Sequence, residues 1–277
     1  MLFTDFWKKT QAASAKASAG ARLAVASQLE YRFNLFVDAV MQPTITACVE
    51  MIVWFAIVAN FAAGQLGGFS AEYYLAYALW GAFFARNNSN WMYEFRMINE
   101  IESGSVNNLL TRPVGFFEFY LSQFMGYKLL VGIPSLLVPL IVGLAMSLPV
   151  DLTKLPLSLI LSFYYLFFVY VFSFCVVSCA FFFNRVGNFS IAKNVAFWLF
   201  TGELFPLDLV PDPYKEIMIS LPFANAVYIP IGYMTGRVGI ETILKGFMSV
   251  TLSSVVVGLL AAYLWNRGRK VYSGTGA

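Results

Sequence analysis

The sequence predicts an all-α integral membrane protein, and three observations carry that prediction. Charged residues make up only 12% of the 277 residues, against 59% hydrophobic, whereas a soluble domain carries about 25% charged residues. The apolar residues gather into segments able to cross about 30 Å of hydrocarbon at about 1.5 Å per helical residue. Short polar stretches separate those segments. One membrane domain over 1–277 is therefore expected, with an interfacial segment at 1–36, a six-span bundle at 37–265 and a basic tail at 266–277.

The first 36 residues do not read as a secretory signal. Lys8 and Lys9 precede an Ala/Ser-rich stretch rather than an unbroken apolar core. Alanine favours helix, and Phe3, Phe6 and Trp7 suit a membrane surface. An amphipathic interfacial helix is expected, running through Glu30, Tyr31 and Arg32 into span one. Span one covers 37–63, with Pro43 near its start and Glu50 near its middle. A Gly-rich loop leads to span two at 73–91. The stretch 100–114, EIESGSVNNLLTRPV, then forms the longest break in hydrophobicity of the first half. It predicts a short cytoplasmic helix.

Span three is expected over 119–148, interrupted by Lys128, Pro134 and Pro139. Span four, at 157–183, is dense in Phe and Tyr, a stripe that suits either packing or an amphiphile path. A polar turn holding Asn184, Arg185, Asn188 and Lys193 leads into a short span five from about 191. From Glu203 onward, Pro206, Pro211, Pro213, Pro222 and Pro230 are too many for one helix. The apolar pieces between them are too short to cross, which predicts re-entrant half-helices. Span six covers 243–265.

Lysine and arginine set the expected orientation. Segments 1–36, 86–118, 184–193 and 266–277 hold thirteen of them, against four in the alternate loops. The positive-inside rule then puts both termini and the 100–114 stretch in the cytoplasm and the proline-rich segment on the far side.

The residue inventory argues against several functions. The chain has no His, so the commonest general base and metal ligand are both missing. Cys48, Cys175 and Cys179 stand in apolar surroundings and read as packing residues rather than a metal or disulfide set. No metal site is expected, and the net charge of +3 on few ionisable groups offers no nucleic-acid footprint. No phosphate-binding loop and no Gly-x-Ser-x-Gly elbow occur. An intramembrane enzyme is disfavoured. A passive channel, the alternative reading, predicts a ring of pore-facing polar residues, where the sequence offers Glu50 and scattered Ser. Any energised work would need ATP bound by another polypeptide.

Two motifs then carry a resemblance. The first is EIESGSVNNLLTRPV, with Ile101, Gly104, Leu109, Leu110, Arg112 and Pro113; the second is FTGELFPLDLVPDP followed by LPFANAVYIPIGYMTG, with Gly202, Pro206, Pro211, Leu221, Pro222, Phe223, Pro230 and Gly236. In this order, on opposite membrane sides, they resemble the small six-span permeases of type-2 ATP-binding-cassette (ABC) exporters with a Gly…Leu-Leu-x-Arg-Pro motif. The resemblance covers nearly the whole chain. It implies two permeases, self or related, in a lipid bilayer, the bacterial cytoplasmic (inner) membrane. It also implies two ABC ATPase subunits that bind ATP and Mg. No cofactor is expected in this chain.

The resemblance further implies that the loop after span two is a coupling helix docked on the ATPase. Asn107 and Asn108 would offer polar docking, Leu109 and Leu110 apolar plugs, and Glu100 and Glu102 partners for basic groups. Gly104, Arg112 and Pro113 complete the motif, Pro113 stopping the helix. It likewise implies a far-side gate over 203–236, with Glu203, Pro206, Pro211, Pro222, Phe223 and Pro230 as candidates. Glu50 stands out on physical grounds, because a charge at mid-membrane costs at least ~3 kcal/mol and is usually functional or paired. Either it lines the translocation path, with Lys128 as a further candidate, or it is a packing residue or partner of Lys128. The expected function is export of an unidentified cargo, the aromatic-rich interior mildly favouring an amphiphile, from the cytoplasm or inner leaflet by alternating access.

Overall fold

A computed structural model of the chain describes residues 18–23, 25–61, 65–111 and 114–272. Among them the chain is helical almost throughout, apart from a two-residue hairpin, β1 (Gln65–Leu66) with β2 (Phe69–Ser70). Residues 18–23 and 25–30 are helical and cross the long helix Phe116–Ala145, where Gly20 and Ala21 meet Ser122 and Gly126. Small side chains on both partners let those backbones approach closely. The part of the expected interfacial helix at 1–17 lies outside the described residues.

Among the described residues, four helices are long and apolar enough to cross a membrane: α1 (Arg32–Ala59), α5 (Phe116–Ala145), Leu152–Phe181 with α6 (Leu155–Ser178) at its centre, and α10 (Ile240–Val271). Within α1 a single π turn, Val37–Met41, precedes Pro43, which sits in the first turn of the α-helical stretch Gln42–Ala59, where its missing N–H is tolerated. The expected interruption of span three is not seen. α5 runs unbroken for 30 residues through Lys128, Pro134 and Pro139, in keeping with the tolerance of Pro in apolar helices whose neighbours re-satisfy the freed backbone.

The second and fifth expected spans are shorter. α2 (Ala71–Asn88) has 18 residues and α7 (Val186–Phe200) has 15, and neither is among those four. α2 occupies the bundle interior, with twelve of its residues buried. Its end differs from the expected one near Trp91. Asn88 closes it, Ser89 is extended, and α3 (Trp91–Glu102) starts a new, amphipathic helix. Asn and Ser compete for backbone bonds and so favour helix ends over helix interiors.

Between α7 and α10 the prolines produce the expected short pieces: a 3₁₀ turn Leu207–Leu209, α8 (Tyr214–Ser220), a 3₁₀ turn Pro222–Asn225 and α9 (Tyr228–Met234). The core has two main aromatic lobes. Trp54, Tyr74, Tyr77, Trp80 and Phe84 centre one, joined by Tyr228 from α9. Tyr93, Phe116, Tyr120, Phe124, Tyr170 and Phe174 centre the other. In α6, 67% of the apolar window is buried, against 11% in α10. Met248, Leu252 and Leu259 of α10 and Ile52 and Phe55 of α1 point outward. So continuous an apolar exterior suits hydrocarbon, not water.

Candidate functional site

The connector between α3 and α5 is the first candidate site. The single expected helix is instead a hinge: α3 ends at Glu102, a turn follows, and α4 (Asn107–Leu110) makes one helical turn. Gly104 has φ +78°, a conformation that costs little only without a Cβ. The turn is closed by Val106 N–H donating to the Glu100 carbonyl at 2.9 Å.

The two acidic residues here face inward rather than outward. Tyr120 donates its hydroxyl to the Glu100 carboxylate, and the Val186 amide, at the start of α7, donates to Glu102 Oε1 at 3.1 Å. They therefore brace the connector against α5 and α7, a role the sequence reading did not include. The Leu pair splits as well. Leu109 is 7% exposed and packs in the second core lobe, whereas Leu110 is 40% exposed. Adjacent helical residues point about 100° apart, yet both leucines line one cavity with residues of α5, α6 and α10. Asn107, Asn108 and Leu110 form the exposed face; Arg112 and Pro113 lie outside the described residues.

A brace that the sequence reading missed joins α3 to α7. Lys193 and Ser190 both donate to the Glu94 carboxylate, and all three side chains are buried. Glu94 falls on the buried face of an amphipathic helix and Lys193 in a short apolar one, but only the fold brings them together. Between the Glu94 and Glu102 contacts, α3 is bonded along its length to α7.

Glu50 and Lys128 do not meet. Lys128 Nζ donates to the Arg86 carbonyl at 3.0 Å and to Ser89 Oγ at 3.5 Å. Next to it, Arg86 pairs with Asp38 at 3.0 Å, and Tyr127 donates to Asp38 at 2.9 Å. This charged layer, near the start of α1, near the end of α2 and in the first half of α5, stands in place of a Glu50–Lys128 pair, one of the expected alternatives. Glu50 instead stands near Glu203, close enough for mutual repulsion.

In the proline-rich segment the hub is Asp208, which the sequence reading did not single out. It accepts Tyr73 at 2.7 Å, Tyr228 at 2.9 Å and Lys215 at 2.8 Å. Burial pushes its carboxyl up, but these three donors outweigh burial and hold it below the usual carboxylate range. Beside it, the Tyr77 hydroxyl donates to the Gly202 carbonyl at 2.7 Å. Gly202 has φ +82°, and a Cβ there would come within 2.7 Å of the Tyr77 hydroxyl.

The candidate gate residues do not converge on one constriction. Pro206, Pro222 and Pro230 are buried, Pro230 accepting Ser158 Oγ at 3.0 Å. Phe223 packs against Phe168, Phe172, Phe197 and Phe200, and Pro211 is exposed. Glu203 alone of the set faces a cavity. That cavity, about 510 Å³, lies between α1, α2, α6 and α7. A second, of about 630 Å³, adjoins it across the α2–α3 break, and Asn90 lines both. Among the described residues no group of His, Cys, Asp and Glu is arranged to hold a metal ion.

A helical bundle with an apolar exterior, a polar connector at one end and a proline-broken cap at the other defines a polytopic membrane protein. A family model described as ABC-2 family transporter protein matches residues 44–276, and the chain belongs to that family. Comparison with curated proteins finds no match. Family membership makes the chain the membrane component of a transporter, of a kind that works with ATPase partners.

Proposed function

We propose that the chain is the permease subunit of an ATP-driven exporter in a bacterial cytoplasmic membrane. Two permeases, self or related, would pair with two ATPase subunits that bind ATP and Mg. The single domain crosses six times, α2 as a short span buried among the long ones and α7 as a short span whose apolar side chains face outward. At about 1.5 Å per residue, α2 covers about 27 Å, close to the thickness of the hydrocarbon core.

The observation that carries the reading is the braced connector. A docking face of Asn107, Asn108 and Leu110 sits on a turn tied to α5 through Glu100 and to α7 through Glu102. Force on that face therefore reaches two spans at once. The Glu94–Lys193 pair carries it along α7 toward Glu203 and the Asp208 hub. ATP-driven closure of the ATPases would move the connectors and re-orient a central path, and the cap over 203–236 would open or close its far end. Leu109, buried beneath, holds the turn in place.

The test is reconstitution of the permease with its ATPase in sealed vesicles. Mg-ATP supplied on the connector side should drive cargo to the other side, and omission of either ATP or the ATPase should stop it. Equal flux without ATP would identify a passive channel instead.

A further inference from the structure

The cavity beside Glu203 has the size of a small-molecule site, for which about 300–1,000 Å³ is usual. Its wall combines Trp91, Phe197 and Trp198 with aliphatic residues such as Ile45 and Val169. Ile45 and Trp198 are also exposed on the outside of the bundle, so the cavity opens sideways.

Three charged residues line it: Arg86, Lys193 and Glu203. Two are already neutralised by carboxylates, Arg86 by Asp38 at 3.0 Å and Lys193 by the buried Glu94. Glu203 has no ion pair among the described residues. The uncompensated field in this cavity is therefore negative. Two further polar groups on the wall lack partners. The Tyr165 hydroxyl and both ends of the Asn90 amide make no hydrogen bond, although these residues are 1% and 5% exposed. Buried polar groups left unpaired cost about 1–3 kcal/mol each.

We propose that this cavity binds an organic cation, its charge against the Glu203 carboxylate and its body between Trp91, Phe197 and Trp198. Aromatic faces attract cations most strongly where water is excluded, and a sideways opening suits a cation that partitions into the membrane. An anionic amphiphile would meet Glu203 with no free cation to offset it. The cation's role as cargo rests on the transport reading above; its binding rests on the cavity alone.

The probes are tetraphenylphosphonium and its near-isosteric anion tetraphenylborate, titrated separately against the full chain in lipid nanodiscs. Saturable binding is read by quenching of tryptophan fluorescence. Tetraphenylphosphonium should saturate, and Glu203→Gln should weaken it by roughly tenfold or more, a loss of about 1.4 kcal/mol. The exposed Glu241→Gln on α10 should leave binding unchanged. Thermal melting of Glu203→Gln checks that its fold is kept, and Glu203→Asp should retain part of the affinity. Equal saturable binding of both ions, or full affinity in a folded Glu203→Gln protein, would overturn the proposal. Glu203-dependent binding without ATP-driven movement of the probe would uphold the site and count against the transport reading instead.

Discussion

At the scale of the residue, the most consequential side chain is Asp208, which lies inside the second motif but is not one of its matched positions. It gathers Tyr73, Tyr228 and Lys215 from α2, α9 and α8 into one hub. Replacing it with Asn removes the charge while keeping the shape. The expected loss is about 2–3 kcal/mol, the scale of hydrogen bonds to a charged group. Because the carboxyl is held below its ordinary range, its contribution is complete above the unfolded-state pKa of about 4 and is lost as pH falls through the lower folded value. Melting curves of the wild type and Asp208→Asn should differ at pH 5 to 8 and converge in stronger acid. Glu50 illustrates the opposite case. Its sequence position marked it as costly at mid-membrane, and its neighbour in the fold is Glu203 and not Lys128. Hydropathy locates a charge along a span and says nothing about which helix it faces.

At the scale of the element, α3 with α4 links the docking face to the bundle. The buried Glu94–Lys193 pair joins α3 to α7. Breaking a buried pair from one side leaves an uncompensated charge, so Glu94→Gln and Lys193→Met should each destabilise the protein by about 3–5 kcal/mol. The double variant Glu94→Gln with Lys193→Met should cost much less than their sum, since both charges leave together. Thermal melting in detergent checks this, and simple additivity would show that the pair is not an energetic unit. Much at this scale was legible. The four long helices follow from hydropathy, and the proline count correctly announced short pieces after Glu203. The α2–α3 break was not, because apolar Trp91 and Met92 continue past Asn87–Asn90 and mask it. Pro134 and Pro139 misled in the other direction, since a proline's cost depends on neighbours that a sequence does not name. The Leu109–Leu110 pair was recognised as a unit because the letters repeat, whereas helix geometry sends one side chain inward and the other out.

At the scale of the whole molecule, the account is of a bundle whose outer helices face lipid and whose interior transmits movement. The orientation rests on thirteen basic residues against four. Single cysteines at Asn108 and Gly68, in a background lacking Cys48, Cys175 and Cys179, should react with an impermeant thiol reagent from opposite sides of the membrane. Asn108 should react from the cytoplasm only, and labelling of both from one side would require a different number of crossings between them. The central claim, that an ATPase acts on this chain through its connector, is tested most directly at Leu110. The permease is purified with its ATPase, and Mg-ATP hydrolysis and ATP-driven transport are measured for the wild type, Leu110→Asp and Leu109→Asp. Leu110→Asp should melt like the wild type yet lose the ATPase or its coupled transport, whereas Leu109→Asp should fail earlier, by destabilising the core. A Leu110→Asp permease that still holds the ATPase and transports at the wild-type rate would contradict the account.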